Sequence, residues 1–174
     1  ELPEIKAYLD EELEKTPVFT PLIRGRLLSI QTKSGELIES GEMIDREANL
    51  TWYDAIPDNN QVIEGSWWSN KEGGQMEVSI DSGIAASMDL SIGDQLNFAA
   101  GGTNFTATVS SFREVTWESF APNFFFVLSP ALGRDLPQSF ITSVQIPSEN
   151  NQVSKGFVER FPTVTSVDLN AALQ

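Results

Sequence analysis

The chain has 174 residues, 40% hydrophobic and 21% charged, which is enough apolar material for one core, or for two small subdomains sharing one, and too much for disorder. With 25 acidic and 11 basic residues its formal charge is −14, which repels phosphate backbones and anionic lipid surfaces at long range and makes nucleic acid a poor partner. Cysteine and histidine are both missing, which removes disulfides, the common zinc sites and any serine or cysteine nucleophile activated by imidazole.

Leu2, Ile5, Leu9 and Leu13 recur at helical spacing among acidic residues and predict one amphipathic helix from Leu2 to Lys15, closed by Pro17. The chain starts inside this helix without an initiator methionine, so it is expected to be a piece of something longer. Leu22 to Gln31 predicts a strand with Arg24 and Arg26 on one face, where pairing with nearby acids is expected rather than ligand binding. From Thr32 to Asn49 periodicity is lost and a loop is expected. Ala48 to Ala55 is a short strand carrying Trp52 and Tyr53. Pro57, Asp58, Asn59 and Asn60 then supply turn chemistry, without the spaced oxygens of a calcium loop. Val62 and Ile63 resume an extended segment. In an extended chain Trp67 and Trp68 point to opposite faces, so one covers a seam or offers an exposed contact.

Gln75 to Ile80 predicts a strand, with Asp81 or Ser82 capping a helix that turns Ile84, Ala85 and Met88 inward. After a turn at Gly93, the segments Gln95 to Ala99 and Thr103 to Phe112 alternate around Gly101-Gly102 as a hairpin. With no P-loop lysine and no following helix, the double glycine reads as a turn and not as a phosphate cradle. The longest apolar run, Phe124 to Leu128, is bracketed by Pro122 and Pro130 as a buried strand. It is far shorter than the ~20 residues of a membrane-spanning helix, and the N-terminus carries no targeting pattern. Ser139 to Ile146 alternates as a strand. Pro147 and Ser148 open a helix with Val153, Phe157 and Phe161 on one face, and Pro162 stops it before a last strand, Thr163 to Leu169.

Carboxylate pairs such as Glu11 with Glu12, or Asp89 with Asp94, are expected by chance in so acidic a chain. The Asn-x-Thr sequons at Asn49 and Asn104 are equally short patterns. The outer elements read αβ…βαβ, an α+β fold built as a split β-α-β sandwich whose first strand would lie upstream of Glu1. In that reading residues 1–32 and 139–174 form one subdomain, and residues 33–138 are an inserted, β-rich one. A single continuous α+β sheet is the alternative.

Four stretches carry a family resemblance: Arg113 to Pro130, Arg46 to Trp52, Ile84 to Phe98 around Gly93-Asp94, and Phe161 to Val164. Together they resemble the first large extracytoplasmic domain of YbbP-type permeases, within the FtsX, MacB and LolE superfamily of ABC transporters, over nearly the whole chain. The Gly-Asp-x-Leu run from Gly93 to Leu96 is shared widely in that superfamily. Trp117-Glu118-Ser119 and Pro122-Asn123-Phe124-Phe125-Phe126 are particular to the YbbP-like branch.

The resemblance implies a porter-like part and a β-rich part held between transmembrane helices on the periplasmic side of the inner membrane. It implies no catalysis and no cofactor in this domain; ATP and magnesium belong to a separate cytoplasmic ATPase subunit. Members of the family are thought to transmit motion across the membrane, and YbbP-like permeases are associated with a secreted SGNH-type hydrolase or lysophospholipase. The expected role is therefore mechanotransmission and docking, with a lipid or other hydrophobic molecule as cargo and the second extracytoplasmic domain of the same permease as a further partner. Trp67, Trp68, Trp117 and Phe120 are the candidate contacts. A stand-alone hydrolase or carbohydrate-binding module, suggested by the aromatic content and the acids, is the alternative.

Overall fold

The computed structural model describes residues 1–12, 18–68, 75–116, 123–143 and 151–165. Its contacts divide the chain into one compact unit of residues 1–18 and 142–174 and another of residues 19–141. In the smaller unit, helix α1 (Leu2–Glu12) buries Ile5 and Leu9, and helix α4 (Asn151–Arg160) buries Val153 with Phe161 just beyond its end. Both stripes follow the i, i+4 spacing read from the sequence. They meet at Tyr8, whose ring lies 5.8 Å edge-on from Phe161 and 6.1 Å from Phe157.

The larger unit is a sheet folded on itself. Its strands are β1 (Thr20–Gln31), β2 (Leu37–Ile38), β3 (Glu47–Trp52), β4 (Asn60–Gly65), β5 (Glu77–Asp81), β6 (Gln95–Ala100), β7 (Thr103–Val115), β8 (Phe126–Leu128) and β9 (Ser139–Ile141), with short helices α2 (Ser82–Ser87) and α3 (Pro130–Gly133). Pairing runs from β1 through β3, β8, β5, β7 and β6 back to β1, so these strands form a closed ring. Two joints, β3 with β8 and β5 with β7, are parallel. Closure removes the exposed edges that open sheets must protect, and a ring this small is filled by its own side chains. Ile23, Leu27, Leu50, Val78, Ile80, Leu96, Phe98 and Leu128 are buried inside it. The alternation that predicted the 95–112 hairpin is the same alternation that sends Leu96, Phe98, Ala107 and Val109 inward.

The remaining strands hang on this ring. β4 pairs with β7, β2 with the end of β1, and β9 with the start of β1, at Thr20–Leu22. Among the described residues the molecule is thus a mixed, sheet-rich fold with few helices. The split β-α-β sandwich is not seen in them, because Ser139–Ile146 is described as strand only to Ile141 and residues 144–150 and 166–174 lie outside the description. The described part of Thr163–Leu169 is turn and bend rather than strand: the Val164 amide bonds back to the Phe161 carbonyl at 3.2 Å beside Pro162.

The expected loop at 32–49 contains β2 and the start of β3, elements whose pairing comes from β1 and not from any local pattern. The Phe124–Leu128 strand begins only at Phe126. Phe125 is 40% exposed, so its ring is not core, whereas Phe124 and Phe126 are buried. Leu13–Pro17 also lies outside the described residues.

Candidate partner-contact surface

The candidate contacts Trp67 and Trp68 follow β4. After β4, Gly65 adopts φ +75°, and a Cβ there would stand 2.2 Å from the Ser110 carbonyl oxygen. Only glycine allows this turn. The chain leaves the strand at that point, so Trp67 and Trp68 do not alternate as they would in an extended segment. Their rings stack instead, with centroids 4.0 Å apart and planes inclined by 32°. Each indole N–H is fixed to a consecutive carbonyl of the chain after β3: Trp67 Nε1 donates to Asp54 O at 2.9 Å and Trp68 Nε1 to Tyr53 O at 2.7 Å. Both rings are half-buried. Their polar ends are thereby satisfied, and what they offer outward is ring surface. Trp117 and Phe120 fall within residues 117–122, outside the described residues.

The residues flanking that segment are held by a polar network the sequence reading did not anticipate. Arg113 on β7 is only 1% exposed. Its Nε donates to Ser79 Oγ at 2.9 Å, and Nη2 donates to the Phe124 and Phe125 carbonyls, both at 3.0 Å. Nη1 donates to Asn60 Oδ1 at 2.6 Å. The Asn60 amide passes the chain on to Asn59 Oδ1 at 2.9 Å, and Asn59 Nδ2 donates to Asn123 Oδ1 at 2.7 Å. Thr116 N–H bonds to Asn59 O at 2.9 Å. Thr116 and Asn123, the residues on either side of 117–122, are therefore tied to one another through the turn before β4. Asn59 and Asn60 do make the expected turn, with the Asn60 amide on the Pro57 carbonyl, and carry this second task as well.

Burial lowers the Arg113 guanidinium to about 10, opposed by the charges of Asp81 and Tyr53. Burial raises the Tyr53 hydroxyl, offset in part by hydrogen bonds with Thr20 and Thr51 and by the Arg113 charge. Held by amide, carbonyl and hydroxyl oxygens, and with no carboxylate in ion-pair reach among the described residues, this cation does no acid-base work at neutral pH. Its chemistry is cross-linking. The sequence held one signal for it: Phe105, Ala107, Val109, Ser111 and Arg113 share a parity, so the arginine sits on the inward face of its strand.

The Gly93-Asp94 pair has an equally structural role. Asp94 is buried, and its carboxylate accepts the Lys33 amide at 3.0 Å and the Ser91 amide at 2.8 Å. Gly93 N–H and Asp94 O both bond to Val109, which seats the turn on β7. Asp81 caps α2 by accepting the Ile84 amide at 3.0 Å. No group of three or more acidic side chains placed to hold a metal occurs among the described residues.

No protein-family model matches the chain. Over 170 residues, 98% of its length, it is 34% identical to the uncharacterized ABC transporter permease YbbP of Escherichia coli strain K12. It spans 20% of that protein. A crystal structure of a domain described as that of a permease protein from Porphyromonas gingivalis has a TM-score of 0.46 at 11% identity, covering 94% of this chain and 71% of that one. From end to end the chain is similar to a domain-sized part of a YbbP-type ABC transporter permease.

Proposed function

We propose that the chain is a non-catalytic domain of an ABC transporter permease, standing on the periplasmic side of the inner membrane. It couples ATP hydrolysis in a separate cytoplasmic subunit to the handling of a lipid or another hydrophobic molecule, and docks a periplasmic SGNH-type hydrolase. The observation that carries the permease assignment is the 34% identity sustained over 98% of the chain. In agreement with a domain supported by a membrane part elsewhere, no helix among the described residues is long and apolar enough to cross a membrane. Residues 1–32 and 139–174 form the porter-like part in this reading and residues 33–138 the inserted part.

The docking surface is the stacked pair Trp67 and Trp68 together with Trp117 and Phe120. A tryptophan stack already locked by two hydrogen bonds loses little freedom on binding, which is what makes aromatic anchors effective. The test is capture of the purified hydrolase by the intact permease–ATPase complex. Trp67→Ala with Trp68→Ala should weaken capture by about tenfold or more, with ATPase activity and folding retained. Equal capture by wild type and double variant would remove these residues from the surface, and no capture by the wild-type complex would refute docking.

A further inference from the structure

The outer face of β1 carries a second feature, distinct from the tryptophan stack. Arg24 and Arg26 are exposed and lie two residues apart on one strand face, about 7 Å from each other along it. On one side they stand opposite Asn49 and Glu47 of β3. On the other side Arg26 stands opposite Ala99 of β6, and the step toward Arg24 reaches Ala100 and then the Gly101-Gly102 turn. The residues facing the arginines there are small, and the Pro137 ring packs against Gly101 at the turn. The result is a concavity of about 270 Å³ bounded by Arg24, Gly25, Arg26, Glu47, Ala99, Ala100, Gly101 and Gly102. Gly101 and Gly102 have φ of +58° and +79°. A two-residue turn of that kind leaves its central amides outside the strand ladder, where consecutive N–H groups favour anions.

Charge points the same way. In a chain of formal charge −14, two arginines line one concavity. Arg24 has no carboxylate within ion-pair distance among the described residues, and Arg26 meets only Asp45, at 3.4 Å, with both side chains well exposed. Such a pair is weak and readily exchanged for a better acceptor. The single carboxylate lining the space is that of Glu47.

We infer that this concavity binds one phosphate group, gripped by Arg24 and Arg26 over the amides of the Gly101-Gly102 turn. A tetrahedral phosphate presents oxygens to two arginine forks at once, whereas a carboxylate has only two oxygens and is satisfied by one fork. The phosphate comes from a lipid headgroup or from a soluble phosphate compound. The site is independent of the tryptophan stack and of hydrolase docking.

The experiment follows the Gly101 and Gly102 amide resonances while inorganic phosphate, glycerophosphate or acetate is added to the chain. Vesicles of zwitterionic phosphatidylcholine serve as a separate arm, read by co-sedimentation. Saturable shifts with a phosphate probe, weakened at least about tenfold in Arg24→Gln and Arg26→Gln and strengthened in Glu47→Gln, are expected. Vesicle binding that depends on Arg24 and Arg26 would also support the site and identify the headgroup as the source; response to the soluble probes alone would identify a soluble compound. All three positions are exposed, so unchanged thermal midpoints should accompany the variants. Shifts that survive both arginine substitutions, equal affinity for acetate, or no saturable response in any arm would overturn the assignment.

Discussion

Arg113 shows how one buried side chain can tie three segments together. Substitution by methionine removes the cost of burying a cation, but leaves the Phe124 carbonyl and the Asn60 amide oxygen without their donor. The Phe125 carbonyl keeps its bond from the Asp81 amide at 2.9 Å. Two orphaned acceptors outweigh the relieved burial, so Arg113→Met should lower stability by about 2–3 kcal/mol, read as a shift in urea midpoint. Tyr53 and Arg113 also bear on alkaline pH, with opposite signs. Tyr53 is raised above its ordinary value of 10.0, so its neutral form is favoured in the folded chain. Its contribution is complete below pH 10 and lost as pH climbs through the raised value. Arg113, lowered to about 10, carries a burial cost that is relieved only above that pH. Tyr53→Phe should therefore flatten the loss of stability above pH 10 relative to wild type, as followed by denaturant titration. A steeper loss in the variant would reverse the sign assigned to Tyr53.

At the scale of elements, turns around the ring are fixed by carboxylates rather than by apolar contacts. Asp94 accepts from two amides of separate segments, so Asp94→Ala leaves two part-buried donors without their acceptor and should cost about 1–3 kcal/mol. Asp81→Ala removes one cap bond on a short helix and should cost about 1 kcal/mol. A thermal or urea comparison of the two variants checks the order; equal losses would mean that Lys33 and Ser91 find other acceptors. This difference was partly legible beforehand. Asp81 stands where a cap belongs, directly before a helical pattern. The Gly-Asp pair was legible as a turn and a family feature, but nothing local tells that its carboxylate reaches Lys33, 61 positions away.

At the scale of the whole molecule, the closed ring is the unit expected to open last. A closed ring has no fraying edge, so its amides should open only in the global transition. Amides of β3, β5, β6 and the central part of β7 should exchange slowest under native conditions, and those facing outward from β4 and β2 much faster. Fast exchange in β3 or β8 would show that the parallel joints open on their own.

Periodicity and breakers in the sequence determined α1, α4, α2 with its cap, the 95–112 hairpin and the inward residues of each. These depend on spacing within one segment, and spacing is local. The resemblance carried by Gly93-Asp94 and Arg113–Pro130 likewise reached the permease family without any structure. Tertiary structure alone decided that β1 closes on both β3 and β6, that Phe125 faces outward, that Trp67 and Trp68 stack, and that Arg113 is buried in a cage of carbonyl and amide oxygens. Each of these rests on partners from other segments of the chain, joined by backbone or side-chain hydrogen bonds that no local pattern announces.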